Sequence, residues 1–162
     1  MRRFVASAVI VLVLDQATKW WVNGALGFGE SVRLIGDLVR LVHVRNAGSA
    51  FGLIQGSRPF FIVLSLASIA AILVLILSGR FHFRGSWVAF GVVLGGAIGN
   101  LIDRFWLHHV VDFIDIGFGS VRWPTFNVAD IALTLGVLYL AVRFAWPQGA
   151  ETRPPSGAGE PG

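Results

Sequence analysis

Apolar residues along this chain come in four long runs, and the length of the runs decides the class of fold. A helix needs about 20 mostly apolar residues to cross the hydrocarbon core of a bilayer. Phe4 to Val22, Pro59 to Gly79, Ser86 to Trp106 and Phe126 to Trp146 all approach or reach that length. Pro59 opens the second run in a first-turn position, where its missing N–H costs nothing. The tryptophans at 20, 21, 87, 106, 123 and 146 fall near the ends of runs or between them, where amphipathic rings favour the membrane interface. The pattern predicts an all-α membrane protein with four spans.

Two connections carry their own patterns. Residues 24–58 include SVRLIGDLVRLVHVRNAGSAFG, rich in Val and partly alternating, with Gly36-Asp37 at a turn. This reads as a small β-hairpin or cradle, greasy enough to lie on the membrane. Residues 107–125 form a shorter link holding His108, His109, Asp112 and Asp115. The Pro/Gly-rich stretch 147–162 reads as a disordered tail, leaving 1–146 as one integral-membrane domain.

Arg2 and Arg3 before an apolar run would suit a signal peptide, but DQATKWW makes a poor cleavage site, so the first span is expected to be retained. With an even number of spans both termini share a side. That side would carry Arg2, Arg3, Arg80, Arg84, Arg143 and Arg153; seven basic residues fall opposite. The short 79–85 loop and the N-terminus weigh most in the positive-inside rule, which puts both termini in the cytoplasm.

Composition agrees with a membrane protein: 55% of residues are hydrophobic and 14% charged, with mean hydropathy +0.72. Absence of cysteine removes disulfides, thiolate nucleophiles and Cys-ligated metal. The pI near 11.0 comes from thirteen Lys and Arg spread thinly, which suits anionic headgroups better than nucleic acid.

Charge inside the spans then becomes the informative feature. A charge at the bilayer centre costs about 2.5–3.5 kcal/mol on insertion scales. Asp15 and Lys19 stand at the outer end of the first span, Asn100, Asp103 and Arg104 end the third, and Asn127 and Asp130 begin the fourth. Because the fourth span runs opposite to the first and third, all three clusters fall at one level. Asp15 with Lys19 and Asn100 with Arg104 are i,i+4; Asn100 with Asp103 and Asn127 with Asp130 are i,i+3, so each pair shares a face. Structural readings compete: Asp15–Lys19 and Asp103–Arg104 as ion pairs, Asn100 and Asn127 as bonds between helices. Asp115 reads as a loop acid. His108 and His109 read as interfacial residues, since adjacent loop histidines rarely ligate one ion. Gly91, Gly95 and Gly99 form a flat ridge for close helix packing, with no catalytic role.

Asp112 and Asp130 have no Lys or Arg at i±3 or i±4 to make them local ion pairs. Two acids at one level in an apolar setting can share a proton, which is the aspartic-protease arrangement. Serine hydrolysis is disfavoured, because GSAFG is not the G-x-S-x-G elbow. A proton-coupled carrier would spread its acids through the membrane depth. A scaffold without turnover would tolerate Asn at either acid. A metallopeptidase would be sensitive to chelators.

The ordered motifs DQATK (15–19), NAGSAFG (46–52), GNLIDR (99–104), VVDFID (110–115) and FNVAD (126–130) resemble those of the lipoprotein signal peptidase, or signal peptidase II, family. The resemblance covers about residues 4–145; Ser49 departs from it, the family more often having Ala. It implies four transmembrane helices, a β-cradle after the first and a short extracytoplasmic helix before the fourth. It also implies a metal-independent aspartic endopeptidase of the bacterial inner membrane that needs no cofactor. The implied partners are membrane lipid and a prolipoprotein, cut just before its diacylglyceryl-bearing cysteine. Asp112 and Asp130 would be the catalytic pair, with Asp15, Lys19, Asn46, Gly48, Asn100, Asp103, Arg104 and Asn127 shaping the site and holding substrate. Oligomeric state is left open, a monomer being compatible. Residues 30–55 could close over the substrate, and the asparagines, which both donate and accept, suit an unwound peptide.

Overall fold

The structure is a computed structural model that describes residues 1–47, 58–78 and 85–145. Four helices long and apolar enough to cross a membrane form the body: α1 (Arg2–Ala25), α2 (Arg58–Leu77), α3 (Ser86–Trp106) and α4 (Val128–Ala145). Each matches a run read from the sequence to within a few residues. The stretches from Gly48 through Gly52 and from Trp146 through the tail lie outside the described residues, so the tail expectation does too.

At one end of the bundle sits an antiparallel sheet in the order β1-β2-β3-β4: β1 (Ser31–Ile35), β2 (Val39–Asn46), β3 (Val110–Phe118) and β4 (Val121–Arg122). The expected hairpin is present as β1 and β2, turning at Gly36, whose φ of 50° suits glycine. The expected short helix before α4 is not there, and the chain is not all-α. The link between α3 and α4 is instead β3, which pairs with β2 over Val39↔Ile116 to Asn46↔Val110, and β4. VVDFIDIGF is dominated by β-branched and aromatic residues, and β2 offers an open edge beside it. Completing that edge satisfies backbone groups of both strands, which an isolated helical turn could not do.

Helix α3 is the most enclosed of the four and is wedged between α1 and α4. Its glycine ridge meets α1: a Cβ at Gly95 would stand 2.5 Å from the Ala8 carbonyl oxygen and 3.0 Å from Val11 Cβ. One at Gly99 would strike the Asp15 carboxylate. On its other side Gly96 lies as close to the Ala129 carbonyl of α4. The contacts run parallel along α1 and antiparallel along α4, which brings all three polar clusters to the sheet end.

Helix α1 inverts the pattern of a soluble helix. Its buried residues are Asp15, Lys19 and Val22, at i, i+4 and i+7, while Val9, Ile10, Val13 and Leu14 face outward. A lipid-facing helix wants this arrangement, since apolar atoms gain nothing by leaving hydrocarbon whereas charges do.

Gly95→Val is expected to destabilise the bundle by about 1–3 kcal/mol, because the α1 backbone has nowhere to move. Gly24→Ala, where a Cβ meets nothing within 4 Å, should leave stability unchanged or slightly higher. Thermal unfolding of both variants in detergent checks the pair.

Candidate active site

Helix α4 needs partners for its first backbone N–H groups, and that need positions the site. Asn127 caps it: the Asp130 N–H donates to Asn127 Oδ1 at 3.0 Å, and the Asn127 N–H donates to Asp130 Oδ2 at 3.2 Å. This is a capping box built from Asn and Asp. The Ala129 N–H donates to Asp15 Oδ1 on α1 at 2.9 Å, so a second carboxylate serves the same helix end.

With its oxygen committed to the cap, Asn127 must aim Nδ2 elsewhere, and it donates to Asp112 Oδ1 on β3 at 2.7 Å. Asn46 on β2 donates to the other oxygen of Asp112 at 2.8 Å, carried there by pairing of the two strands. Asn100 on α3 donates to Asp130 Oδ1 at 2.8 Å. Its own Oδ1 accepts from Lys19 Nζ at 2.9 Å, and an ammonium has only donors, so the amide cannot be turned round. Asp112 and Asp130 are thus gathered on a strand and a helix by three asparagines.

Beneath them Lys19 is the hub. Its ammonium also meets Asp15 Oδ2 at 2.8 Å and Asp103 Oδ2 at 3.0 Å, so its three N–H groups have three acceptors. All three residues are buried. Asp103 further accepts the Val111 N–H at 3.1 Å and Gln16 Nε2 at 3.0 Å, which ties the start of β3 to α1 and α3.

The ion-pair reading of Asp15 with Lys19 describes what is seen; that of Asp103 with Arg104 does not. Successive helix residues point about 100° apart. Asp103 therefore faces Lys19, while Arg104 faces α2, donating to Ser65 Oγ at 3.3 Å and the Asn100 carbonyl at 3.2 Å over the ring of Phe61. Asp115 is a sheet residue rather than a loop acid, buried and paired with Arg122 at 2.7 Å. His108 is exposed, with φ of 66°. His109 is half-buried, and that burial, with Arg45 adding to it, holds its imidazole below the ordinary value. Gly48 lies outside the described residues.

Sequence reasoning missed Gln16, the Val111 and Ala129 amides, and His43, which is buried with Nδ1 against the Leu26 carbonyl at 2.9 Å. Gln16 had a signal, standing between the helix neighbours Asp15 and Lys19. The amides had none, since every residue but proline carries one.

Asp112 is 1% exposed. Burial pushes its carboxyl up to about 7, the neighbouring Asp130 charge adding to this while the amides of Asn46 and Asn127 oppose it. A carboxyl that titrates near neutrality beside a second one can hold or release a proton under working conditions.

A family model described as Signal peptidase (SPase) II matches residues 7–146. The chain is 42% identical over 142 residues to a lipoprotein signal peptidase from Maridesulfovibrio salexigens, covering 85% of this chain and 91% of that one. It is 40% identical over 144 residues to one from Geobacillus kaustophilus, covering 87% and 94%. Two solved structures described as bacterial membrane enzymes superpose with TM-scores of 0.81. One is 30% identical and covers 89% of this chain and 88% of its own; the other is 29% identical and covers 91% and 95%.

Lys19→Met would leave Asp15 and Asp103 as buried carboxylates with no cation between them. A loss of about 3–5 kcal/mol is expected, readable as a lowered unfolding midpoint. Stability equal to that of the parent would mean the ammonium does not organise the site.

Proposed function

The chain belongs to the signal peptidase II family and is a multi-pass membrane protease, and we propose that it is an aspartic endopeptidase that removes signal peptides from diacylglyceryl-modified prolipoproteins, cutting just before the lipidated cysteine. The observation that carries the mechanism is that Asn127 binds Asp112 through Nδ2 and Asp130 through Oδ1 and its backbone N–H. One asparagine thereby holds both carboxyls.

In this reading the pair holds one proton, carried by Asp112. A water between the carboxyls gives a proton to Asp130 as its oxygen attacks the scissile carbonyl, and Asp112 protonates the carbonyl oxygen. The diol collapses as the C–N bond breaks; Asp112 takes back a proton and Asp130 delivers one to the leaving amine. The substrate must unwind to expose its peptide bond, and each unpaired polar group in an apolar setting costs several kcal/mol. Arg104 and the asparagines are suited to meet those groups. Asp15, Lys19 and Asp103 act from below as positioning residues.

The arginines at the N-terminus and in the 79–85 loop support a site at the extracytoplasmic face of the bacterial inner membrane, with both termini cytoplasmic. Residues 1–146 would act as one domain, in keeping with the extent of the family match. The gathering of Asp15, Asp103, Asp112 and Asp130 at one end favours an enzyme over a proton carrier, which needs acids along a path.

Cleavage of a diacylglyceryl-modified prolipoprotein by the purified protein should be unaffected by EDTA and fall about 10^2- to 10^4-fold in both Asp112→Asn and Asp130→Asn. Full activity in either variant would sink the pair; inhibition by chelator would turn the reading towards a metallopeptidase. The rate should also fall as pH rises through about 7, about tenfold per unit, because the proton that Asp112 holds below that value is lost above it. A kcat profile between pH 5 and 9 tests the sign.

A further inference from the structure

A lateral groove runs away from the candidate site on the side where α2 and α4 face each other. Among the described residues α2 packs on α3 and makes no comparable contact with α4. The space between them is a cavity of about 400 Å³, floored by Phe90 and Val93 of α3. Its α2 wall includes Ser68, Ala71 and Leu75, and its α4 wall includes Leu133, Val137 and Phe144.

Helix periodicity makes this groove continuous with the chemistry. On α4, Asp130 stands three residues before Leu133 and so heads the same stripe. On α2, Ser65 stands three before Ser68, and it is Ser65 that receives Arg104. On α3, Asn100 lies two turns beyond Val93 on the same face. All three walls, followed towards the sheet, end at Asp130, Asn100 and the Ser65–Arg104 contact.

Resting on the assignment of function above, we infer that this groove seats the apolar helix of the substrate's signal peptide and measures its length. Leu133 and Phe144 stand eleven positions apart, about 16 Å at the helical rise. The apolar core of a secretory signal peptide runs to about 7–15 residues, so the groove fits its middle range. Small side chains at Ser68, Ala71 and Ala141 let another helix come close, which a lone acyl chain would not require. A helix seated there directs its C-terminal end at Asp130, where the peptide must unwind.

Ala71 and Ala141 are exposed, so a larger residue fills the groove without entering a packed core. Full-length Ala71→Phe and Ala141→Phe enzymes in nanodiscs would be compared on a diacylglyceryl-modified prolipoprotein and on a short diacylglyceryl peptide lacking the apolar helix. Val142→Phe, on an exposed position of α4 outside the groove, serves as the control. The groove variants should lose about tenfold in kcat/KM on the full substrate, chiefly through KM. On the short peptide they should match wild type. With wild-type enzyme, substrates with an apolar core of about eleven residues should outperform cores of about seven or about twenty. Equal loss on both substrates, no loss on either, or indifference to core length would overturn the inference. A photocrosslinking residue at position 141 that captures only phospholipid or a second copy of the enzyme would do so too. A wild type that cleaves neither substrate would instead defeat the assignment of function, which separates the two failures.

Discussion

The structure depends on one buried ammonium. Lys19 lies inside an apolar bundle, and its three donors are met by Asp15, Asp103 and Asn100 from α1 and α3. Removing an ion from water is so costly that such a cluster persists only when every member is paired. Each partner then acts on something further. Asp15 receives an amide of α4, Asp103 an amide of β3, and Asn100 directs its side-chain nitrogen at Asp130. One neutralised charge thereby fixes how two helices, a third helix end and a strand meet.

The same economy appears at the start of α4. A helix N-terminus must find acceptors, and Asn127 with Asp130 supplies them reciprocally. Because the cap uses the oxygen of Asn127, its nitrogen is left to hold Asp112. Stabilising the helix and pairing the two carboxyls are therefore one act, and a residue replaced for one purpose disturbs the other. The tension shows at Asp112, whose burial makes ionisation unfavourable and keeps its carboxyl up at about 7.

Packing around α3 divides the molecule into a tight side and an open one. Against α1 the glycine ridge brings backbones almost into contact, and Gly96 does so against α4. Helix α2 lacks such a ridge and rests on α3 through larger side chains, Ile72 against Phe90 and Val93. Rigid positioning is thus concentrated in α1, α3 and α4, which carry Lys19, Asn100 and Asp130. The space beside α2 is left free, and a lipid-facing surface pays no hydrophobic penalty for it.

Sequence alone determined the four spans, because crossing a bilayer demands a length of apolar residues that nothing local can imitate. It also determined that Asp15, Lys19, Asn100, Asp103, Asn127 and Asp130 share one level, since helix spacing and alternating direction suffice for that. The hairpin turn at Gly36 was legible for the same local reason. Only the tertiary structure decided that residues 110–118 form a strand, because a β-strand is defined by its partner, here the distant β2. It alone decided that Asp103 turns to Lys19 and Arg104 to Ser65, which depends on where α1 and α2 stand around α3. The amides of Val111 and Ala129 became part of the site in the same way: backbone groups are identical along a sequence, and only packing says which of them meets a carboxylate.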